Sequence, residues 1–347
     1  MTSNTQHDQA PEHCTLEDIA ARSGVSISTV SRALAGHPGI SAATRTKVQH
    51  TAAEMGYRMP VQGRSARKAA TRVVGVVIGD LHNPFMTSLL EHLHHALNDA
   101  GYRIALIIDP MDDTSSLQTL RPLIDGYLDG LLFFTATLDS PVVAELKRRG
   151  IPLVLVVRSV DEPGVATVEI DNVHAGMEAA RHLYELGHRR IGLAMGQRTT
   201  STARDRALGA TQWLLQQGLK EKDVPLIWGE YTMESGYSSS LSLLSGSNPV
   251  SAIIAGNDTI ALGALEAAHR SNIAVPERLS VIGFDDMPLA GTHMLSLTTI
   301  RQPVEAMART AARRLVECMN GKIPPAAVHD IMPIHLIQRR TTGPAPT

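Results

Sequence analysis

From Val73 to Asp286, short runs of β-branched and aliphatic residues alternate with amphipathic segments of helical period. One series opens with VVGVVIGD and closes with ATVEID, and a second runs from Asn172 to LSVIGFDD. Strands that alternate with helices form parallel sheets covered on both faces. Two series of similar length therefore predict two α/β subdomains with a cleft between them, in which ligands bind beyond the carboxyl ends of the strands.

The N-terminal segment follows another pattern, with three short helical runs and a glycine turn between the first two. Thr15 and Ser26 are candidate caps of the first two helices. Gly24 ends the first helix, because glycine adopts positive φ without a steric penalty. This arrangement predicts a helix-turn-helix, whose second helix, from Ile27 to about Ala35, enters the major groove of DNA.

Charge is distributed unevenly along the chain. The segment from Thr15 to Arg72 holds nine Lys or Arg and three Asp or Glu, a formal charge of +6, whereas the whole chain carries −2. A basic segment on an acidic remainder is typical of a nucleic-acid-binding domain. With two cysteines, no secretory pattern and no apolar run of the ~18 residues that span a membrane, we expect a cytoplasmic, nucleoid-associated protein.

Signatures of an enzyme are missing from the sequence. Neither G-x-G-x-x-G nor G-x-x-x-x-G-K-[ST] occurs, so we predict no cofactor. Glu91, His92 and His95 share one helical segment, but a partly buried subunit interface explains them better than a metal site does, and no metal is predicted. Two alternatives to a DNA-binding regulator remain: an α/β enzyme, and a solute-binding protein that does not bind DNA.

The stretches TLEDIAARSGVSISTVSRAL and RTKVQHTAAEMGYR resemble the N-terminal signature of the LacI/GalR family of bacterial transcription regulators, and the similarity continues to about residue 340. The resemblance implies an all-α helix-turn-helix domain followed by an α/β periplasmic-binding-protein-like (type I) effector domain of two parallel-sheet subdomains. It also implies a homodimer that binds double-stranded operator DNA under the control of a small-molecule effector, as a repressor of a catabolic or transport operon. Two-fold symmetry fits two operator half-sites.

The domain limits expected from this resemblance are a disordered arm at 1–13, the helix-turn-helix at 14–58, a hinge at 59–72, the effector domain at 73–340 and a tail at 341–347. Within the effector domain, the first subdomain is expected at about 73–171 and 302–325, and the second at about 172–301 and 326–340.

The resemblance also assigns the residues that contact operator DNA. They are Thr15, Ser26, Ile27, Ser28, Thr29, Ser31, Arg32, Arg45, Tyr57, Arg64, Ala66 and Arg67. Hydroxyls and arginines suit phosphates and base edges, and Ile27 can contact a thymine methyl group. The family hinge carries a leucine that wedges a base step open, where this chain has Ala66, and Gly63 disfavours a helix by about 1 kcal/mol relative to alanine. We expect a weaker kink and salt-sensitive binding, or else a flexible basic linker.

The candidate effector-binding residues, also assigned by the resemblance, are Phe85, Arg158, Thr202, Arg206, Tyr231, Asn257 and Asp285. Arg206 suits the role because its planar guanidinium can hold two hydroxyls or a carboxylate. Phe85 and Tyr231 could equally be core residues, and Asn257 could simply cap a helix. Many relatives have Asp-Arg where this chain has Val157 and Arg158. The lost acid predicts an anionic effector such as a sugar acid, with a neutral sugar as the alternative.

Overall fold

The computed structural model describes residues 15–34, 37, 39–55, 70–109, 113–245 and 248–346. The chain divides into two compact units between Ala70 and Thr71. The predicted arm and most of the predicted hinge lie outside the described residues, as do Tyr57, Arg64, Ala66 and Arg67. None of the helices in the described part of the chain is both long and apolar enough to cross a membrane.

The first unit consists of helices α1 (Leu16–Ser23), α2 (Ile27–Leu34) and α3 (Ala42–Glu54). Thr15 caps α1: its Oγ1 accepts a hydrogen bond from the Asp18 amide (3.3 Å), and the Asp18 carboxylate accepts one from the Thr15 amide (2.7 Å). Gly24 ends α1 at a φ of 69°, the conformation that glycine adopts most easily. The core between the helices consists of Ile19, Ala20, Val30, Ala33, Val48 and Ala52.

In chain order, the second unit comprises β1 (Val73–Ile78), α4 (Pro84–Asp99), β2 (Arg103–Ile108), α5 (Thr114–Gly126), β3 (Gly130–Phe133), α6 (Pro141–Arg148), β4 (Leu153–Val156), β5 (Ala166–Ile170), α7 (Asn172–Glu185), β6 (Ile191–Met195), α8 (Ser201–Gln216), β7 (Leu226–Trp228), α9 (Met233–Leu244), β8 (Ala252–Ala255), α10 (Asp258–Arg270), β9 (Ser280–Asp285), β10 (Thr298–Arg301), α11 (Val304–Met319), β11 (His329–Met332) and β12 (His335–Ile337).

Two six-stranded sheets divide this unit into two subdomains. The first sheet has the order β11-β5-β4-β3-β1-β2 and the second the order β12-β10-β9-β8-β6-β7. All neighbouring strands are parallel except β10 and β12. Interior strands such as β3 and β8 are buried along their whole length, as expected where helices cover both faces. Strand order reverses between β1 and β3 and between β6 and β8, the positions where ligands bind in such sheets.

The chain crosses between the subdomains three times, after β5, after β10 and after β11. We call residues 171, 302–303 and 333–334 the crossover segments. β11 pairs with β5 in the first sheet, with Ile331 opposite Glu169. The assignment of 326–340 to the second subdomain is therefore wrong for residues 329–332, because pairing with β5 satisfies the backbone of both strands in the first sheet.

The predicted tail is also wrong over most of its length. The Val281 amide donates to the Thr341 carbonyl (2.7 Å), and the Ala345 amide donates to the Leu186 carbonyl (2.8 Å). The side chains of Thr341 and Thr342 are buried. Residues 341–345 therefore belong to the second subdomain, where they supply hydrogen-bond partners to β9 and to the end of α7.

Helices α7 and α8 pack through a pair of glycines. A Cβ on Gly176 would lie 2.0 Å from the carbonyl oxygen of Arg206, and a Cβ on Gly209 would lie 1.9 Å from that of Val173. Neither position has room for a methyl group, because the facing atoms are backbone. The position of α8, which carries Arg206, therefore depends on both glycines.

Candidate functional site

The solvent-facing side of α2 carries most of the predicted base-contacting residues. Ile27, Ser28, Ser31 and Arg32 are exposed, and Ile27 keeps 47% of its surface accessible. An exposed isoleucine among hydroxyls and an arginine suits contact with thymine methyl groups, base edges and phosphates. That these four residues contact DNA remains a prediction.

Four other predicted DNA-contacting residues make hydrogen bonds within the first unit. Thr15 caps α1, and Ser26 Oγ accepts from the Thr29 amide (3.2 Å) at the start of α2. The Arg45 guanidinium donates to the carbonyl oxygen of His37 (2.9 Å). These bonds fix the ends of the helices, so substitution of these residues would affect folding as well as any contact with DNA.

A cavity of about 90 Å³ lies between the two subdomains, and all seven predicted effector-binding residues line it. These are Phe85, Arg158, Thr202, Arg206, Tyr231, Asn257 and Asp285. Six further lining residues, all from the first subdomain, are not among the predicted effector-binding residues, although Val157 was named as the position where many relatives have an aspartate: Gly79, Asp80, Asn83, Met86, Phe134 and Val157. Each of the six lies shortly after β1, β3 or β4, so the rule that ligands bind beyond the carboxyl ends of strands could have found them.

The centre of the polar side of the cavity is a buried pair, Arg206 and Asp285. Arg206 is 2% exposed, and its Nη1 lies 3.8 Å from Asp285 Oδ1. Its Nε donates to Asn172 Oδ1 (2.9 Å) and its Nη1 to the Gly256 carbonyl (2.7 Å), while its guanidinium lies 4.5 Å from the centroid of the Phe284 ring. These contacts hold the guanidinium in one orientation at the cavity.

Two buried carboxyl groups next to each other have raised pKa values. Burial raises the pKa of Asp285 to about 6, although the Arg206 charge and a hydrogen bond from Gln302 Nε2 (2.7 Å) act in the opposite direction. Burial, and then the charge of Asp285, raise the pKa of Asp258 well above its usual value. Asp258 accepts from Thr299 Oγ1 (2.6 Å). The Asp285 carboxyl that faces the cavity therefore changes its charge near pH 6.

The backbone that presents Asp285 is strained. Asp285 has a φ of 107° and Asp286 a φ of 52°, a region that non-glycine residues adopt only where the surroundings enforce it. The Asp286 carboxylate accepts from Arg301 Nε and Arg339 Nη2, each at 2.6 Å. These two arginines hold the turn that directs Asp285 to the cavity.

The remaining predicted residues have both structural contacts and a place at the cavity. Tyr231 Oη lies 2.7 Å from Thr202 Oγ1, and the Arg158 guanidinium lies 5.5 Å from the centroid of the Tyr231 ring. Asn257 caps α10 by accepting from the amide of Ile260 (2.9 Å). For Asn257 the structural and the ligand-binding interpretations are therefore compatible.

Comparison with known proteins identifies the family. The model of the lacI family of bacterial regulatory proteins matches residues 15–59, and that of the periplasmic binding protein-like domain matches residues 180–342. The HTH-type transcriptional repressor CytR of Escherichia coli (strain K12) is 33% identical over 309 residues, which cover 89% of this chain and 90% of that protein. The chain belongs to the lacI family of bacterial regulatory proteins.

Other lacI-family relatives match over nearly the whole chain. The regulator MalR of Streptomyces coelicolor is 32% identical, over 95% of this chain and 97% of that protein. Among solved structures, the chain is similar to the transcriptional regulator CelR in its complex with cellobiose. The sequence identity is 30% and the TM-score is 0.73, over 94% of this chain and 99% of the CelR chain. The chain is also similar to the lac repressor in the structure of its dimer bound to operator and the anti-inducer ONPF. The sequence identity is 25% and the TM-score is 0.71, over 96% of this chain and 100% of the lac repressor chain.

Membership in the lacI family confirms the predicted fold, a helix-turn-helix followed by two parallel-sheet α/β subdomains. It also confirms the predicted class: the chain is a ligand-responsive, DNA-binding transcription regulator and not an enzyme. The alternative of a solute-binding protein without DNA binding is excluded by the match to the DNA-binding family model.

Proposed function

We propose that this regulator is a cytoplasmic, nucleoid-associated repressor whose operator binding is controlled by a small polyhydroxylated effector in the cavity. The observation that carries the proposal is the buried Arg206–Asp285 pair, because N–H donors and a carboxylate acceptor 3.8 Å apart match the acceptor and donor atoms of neighbouring hydroxyls. The aromatic rings of Phe85, Phe134 and Tyr231 provide apolar surface for a sugar ring. The CelR–cellobiose complex supports a carbohydrate effector.

The charge of the effector is a narrower proposal. Asp285 offsets the Arg206 charge, so an acid-bearing effector would place its carboxylate at Arg158, next to the Tyr231 ring. Because Arg158 is a second arginine at the cavity, we propose a sugar acid as the effector. A neutral sugar is the alternative, and it is favoured by the presence of Asp80 in the lining, which makes the number of arginines and aspartates equal.

Thermal shift of the full chain tests the effector. Cellobiose and glucose represent neutral sugars, glucuronate represents sugar acids, and adenine and uracil represent nucleobases. A compound at 100 times its Kd stabilises the protein by about 2.7 kcal/mol. We expect the sugar acid to stabilise the wild type and to lose its effect in Arg158→Gln. Stabilisation by neutral sugars alone would exclude the acid, and stabilisation by nucleobases alone would exclude the polyhydroxylated effector.

The reading face of α2 is tested by mobility shift with the DNA upstream of the chain's own gene. We expect Ile27→Ala to weaken binding about tenfold, because a lost base contact costs about 1–3 kcal/mol. Gln49→Ala, on the exposed side of α3, is the matched control and should bind as the wild type does. Equal binding of the Ile27 variant and the control would remove α2 as the reading helix.

We propose a homodimer as the functional state, as the lac repressor dimer suggests. Strand β2 forms one edge of the first sheet and exposes 39% of Leu106 and 54% of Ile108. Exposed apolar edge strands are surfaces that proteins cover by association. Sedimentation should show a dimer for the wild type and a monomer for Ile108→Lys; a dimeric variant would place the interface elsewhere.

A further inference from the structure

Two buried amide side chains outside the cavity lining connect the Arg206–Asp285 pair to the crossover segments. Asn172 is the first residue of α7, directly after the first crossover segment, and is 3% exposed. Its Oδ1 accepts from Arg206 Nε (2.9 Å), and its Nδ2 donates to the carbonyl of Ile170 (3.3 Å). Ile170 is the last residue of β5, so this one side chain joins Arg206 to the end of a strand in the first subdomain.

Gln302 has the matching position at the second crossover segment. It follows β10, precedes α11 and is 2% exposed. Its Nε2 donates to Asp285 Oδ1 (2.7 Å), whereas its buried Oε1 has no hydrogen-bond partner in the part of the chain that the structure describes. The bond to Asp285 is therefore the interaction that orients this amide, and a change at the Asp285 carboxyl releases it.

Asp285 is thus bonded to Gln302 in the second crossover segment, and Arg206 to Asn172, the residue that follows the first crossover segment. Two packed subdomains change their relative orientation mainly at the few residues that connect them, so the backbone angles at the crossover segments define that orientation. An effector that engages Arg206 and Asp285 changes the charge and geometry of the two groups to which Asn172 and Gln302 are bonded. A ligand shifts a conformational equilibrium only through such a difference in interactions between the two states.

We propose that Asn172 and Gln302 are positioning residues that transmit occupancy of the cavity to the crossover segments. This inference rests on the proposed effector site at Arg206 and Asp285. The competing explanation is purely structural: the two amides only satisfy buried polar atoms and have no effect on the connection between subdomains. The two explanations differ in whether a change at Asp285 reaches α11 through Gln302.

Hydrogen exchange of the full chain, without any ligand, separates the two explanations. Asp285→Asn changes the carboxyl group that lines the cavity, and Gln302→Met removes the side-chain amide with little change in volume. The readout is exchange of the Val304 and Met307 amides at the start of α11, which donate to the carbonyls of Gln302 (3.0 Å) and Pro303 (2.9 Å). We expect Asp285→Asn to accelerate this exchange about tenfold, because the hydrogen bond from Gln302 then goes to a neutral amide oxygen and no longer to a carboxylate, and to have no further effect in the Gln302→Met background.

The matched control is Ser251→Ala, which removes the 2.8 Å hydrogen bond to the buried His188 within the second subdomain. It should leave the exchange of the Val304 and Met307 amides unchanged. The proposal is overturned if Asp285→Asn acts equally with and without the Gln302 amide, or if the control accelerates exchange as much. Gln302→Asn, too short to reach Asp285, repeats the test if the methionine variant does not fold.

An arm with cellobiose as the probe separates this inference from the proposed function. If cellobiose binds the wild type, Asn172→Leu should lose at least tenfold of the cellobiose effect on operator affinity, measured at cellobiose concentrations that saturate each protein, since coupling of 1–3 kcal/mol is typical. If cellobiose changes the operator affinity of the wild type and of Asn172→Leu by the same factor, the proposed role of Asn172 is overturned. If no sugar binds but Asp285→Asn still accelerates exchange at the start of α11 only when the Gln302 amide is present, the proposed effector class fails. The proposed role of Gln302 then stands.

Discussion

The two subdomains share one strand order but bury different chemistry. Among the described residues, the buried Asp, Glu, His and Arg side chains of the first subdomain are Asp109 and Glu169, whereas those of the second are His182, His188, Arg206, Asp258 and Asp285. The cavity reflects this contrast. The first subdomain lines it mainly with apolar groups such as Phe134 and Met86, and the second with the fixed pair of Arg206 and Asp285. The first subdomain therefore supplies most of the apolar surface of the cavity, and the second supplies its buried ion pair.

The largest expected effect is that of Arg206→Met. It removes two buried hydrogen bonds and leaves Asp285 without its opposite charge, which should lower the free energy of unfolding by about 3–5 kcal/mol. Phe134→Leu, on the facing subdomain, keeps an apolar side chain of similar size and should cost less than about 1.5 kcal/mol. Urea unfolding of both variants gives the comparison, and equal losses would show that the two faces of the cavity do not differ in this way.

The next effect is a pH dependence that belongs to the second subdomain. Because the pKa of Asp285 is raised from 3.8 to about 6, the folded protein binds a proton more tightly than the unfolded chain does. Stability from this group is therefore complete below about pH 4 and is lost as the pH rises through 6, by at most about 3 kcal/mol. Unfolding at pH 4 to 7 should show a loss that is smaller by this amount in Asp285→Asn than in the wild type, because the raised pKa values of Asp258 and Glu169 contribute in both proteins. Curves of stability against pH that are parallel for the wild type and Asp285→Asn would contradict this prediction.

A third prediction concerns His188, which is fully buried. Its Nδ1 lies 2.8 Å from Ser251 Oγ, and its Nε2 lies 2.9 Å from Ser280 Oγ. His188→Phe leaves both hydroxyls without this partner and should lower stability by about 2 kcal/mol, as measured by thermal unfolding at pH 7. A neutral outcome would mean that the polar network of the second subdomain is replaceable by apolar packing.

The smallest effect is expected in the first subdomain, for Glu169→Gln. Burial raises the pKa of Glu169, and its partner His329 is 63% exposed in its side chain, so the substitution leaves no stranded buried charge. Stability should change by less than about 1 kcal/mol. A loss as large as that of Arg206→Met would show that the first subdomain also depends on a buried ionic group.

Local sequence patterns predicted the helix-turn-helix and the two α/β series because cap residues, glycine turns and strand–helix alternation are local signals. The resemblance to the family supplied the seven residues that the structure brings together around the cavity. The route of the chain after α11 could not be predicted. The four residues of β11 alternate between exposed and half-buried, so their pattern does not distinguish the two sheet edges. The contacts of Asn172 with Arg206 and of Gln302 with Asp285 could not be predicted, because they join side chains of elements distant in sequence.

The packing of α7 against α8 has a consequence for inferring specificity from alignments of relatives. Gly176 has no side chain and is absent from the cavity lining, yet the atom that limits it is the carbonyl oxygen of Arg206. A homologue with alanine at this position would have to shift the backbone of the arginine that lines the cavity while every lining residue stayed identical. Two regulators with the same cavity residues can therefore respond to different molecules, and a specificity code for this family has to include a glycine that touches no ligand.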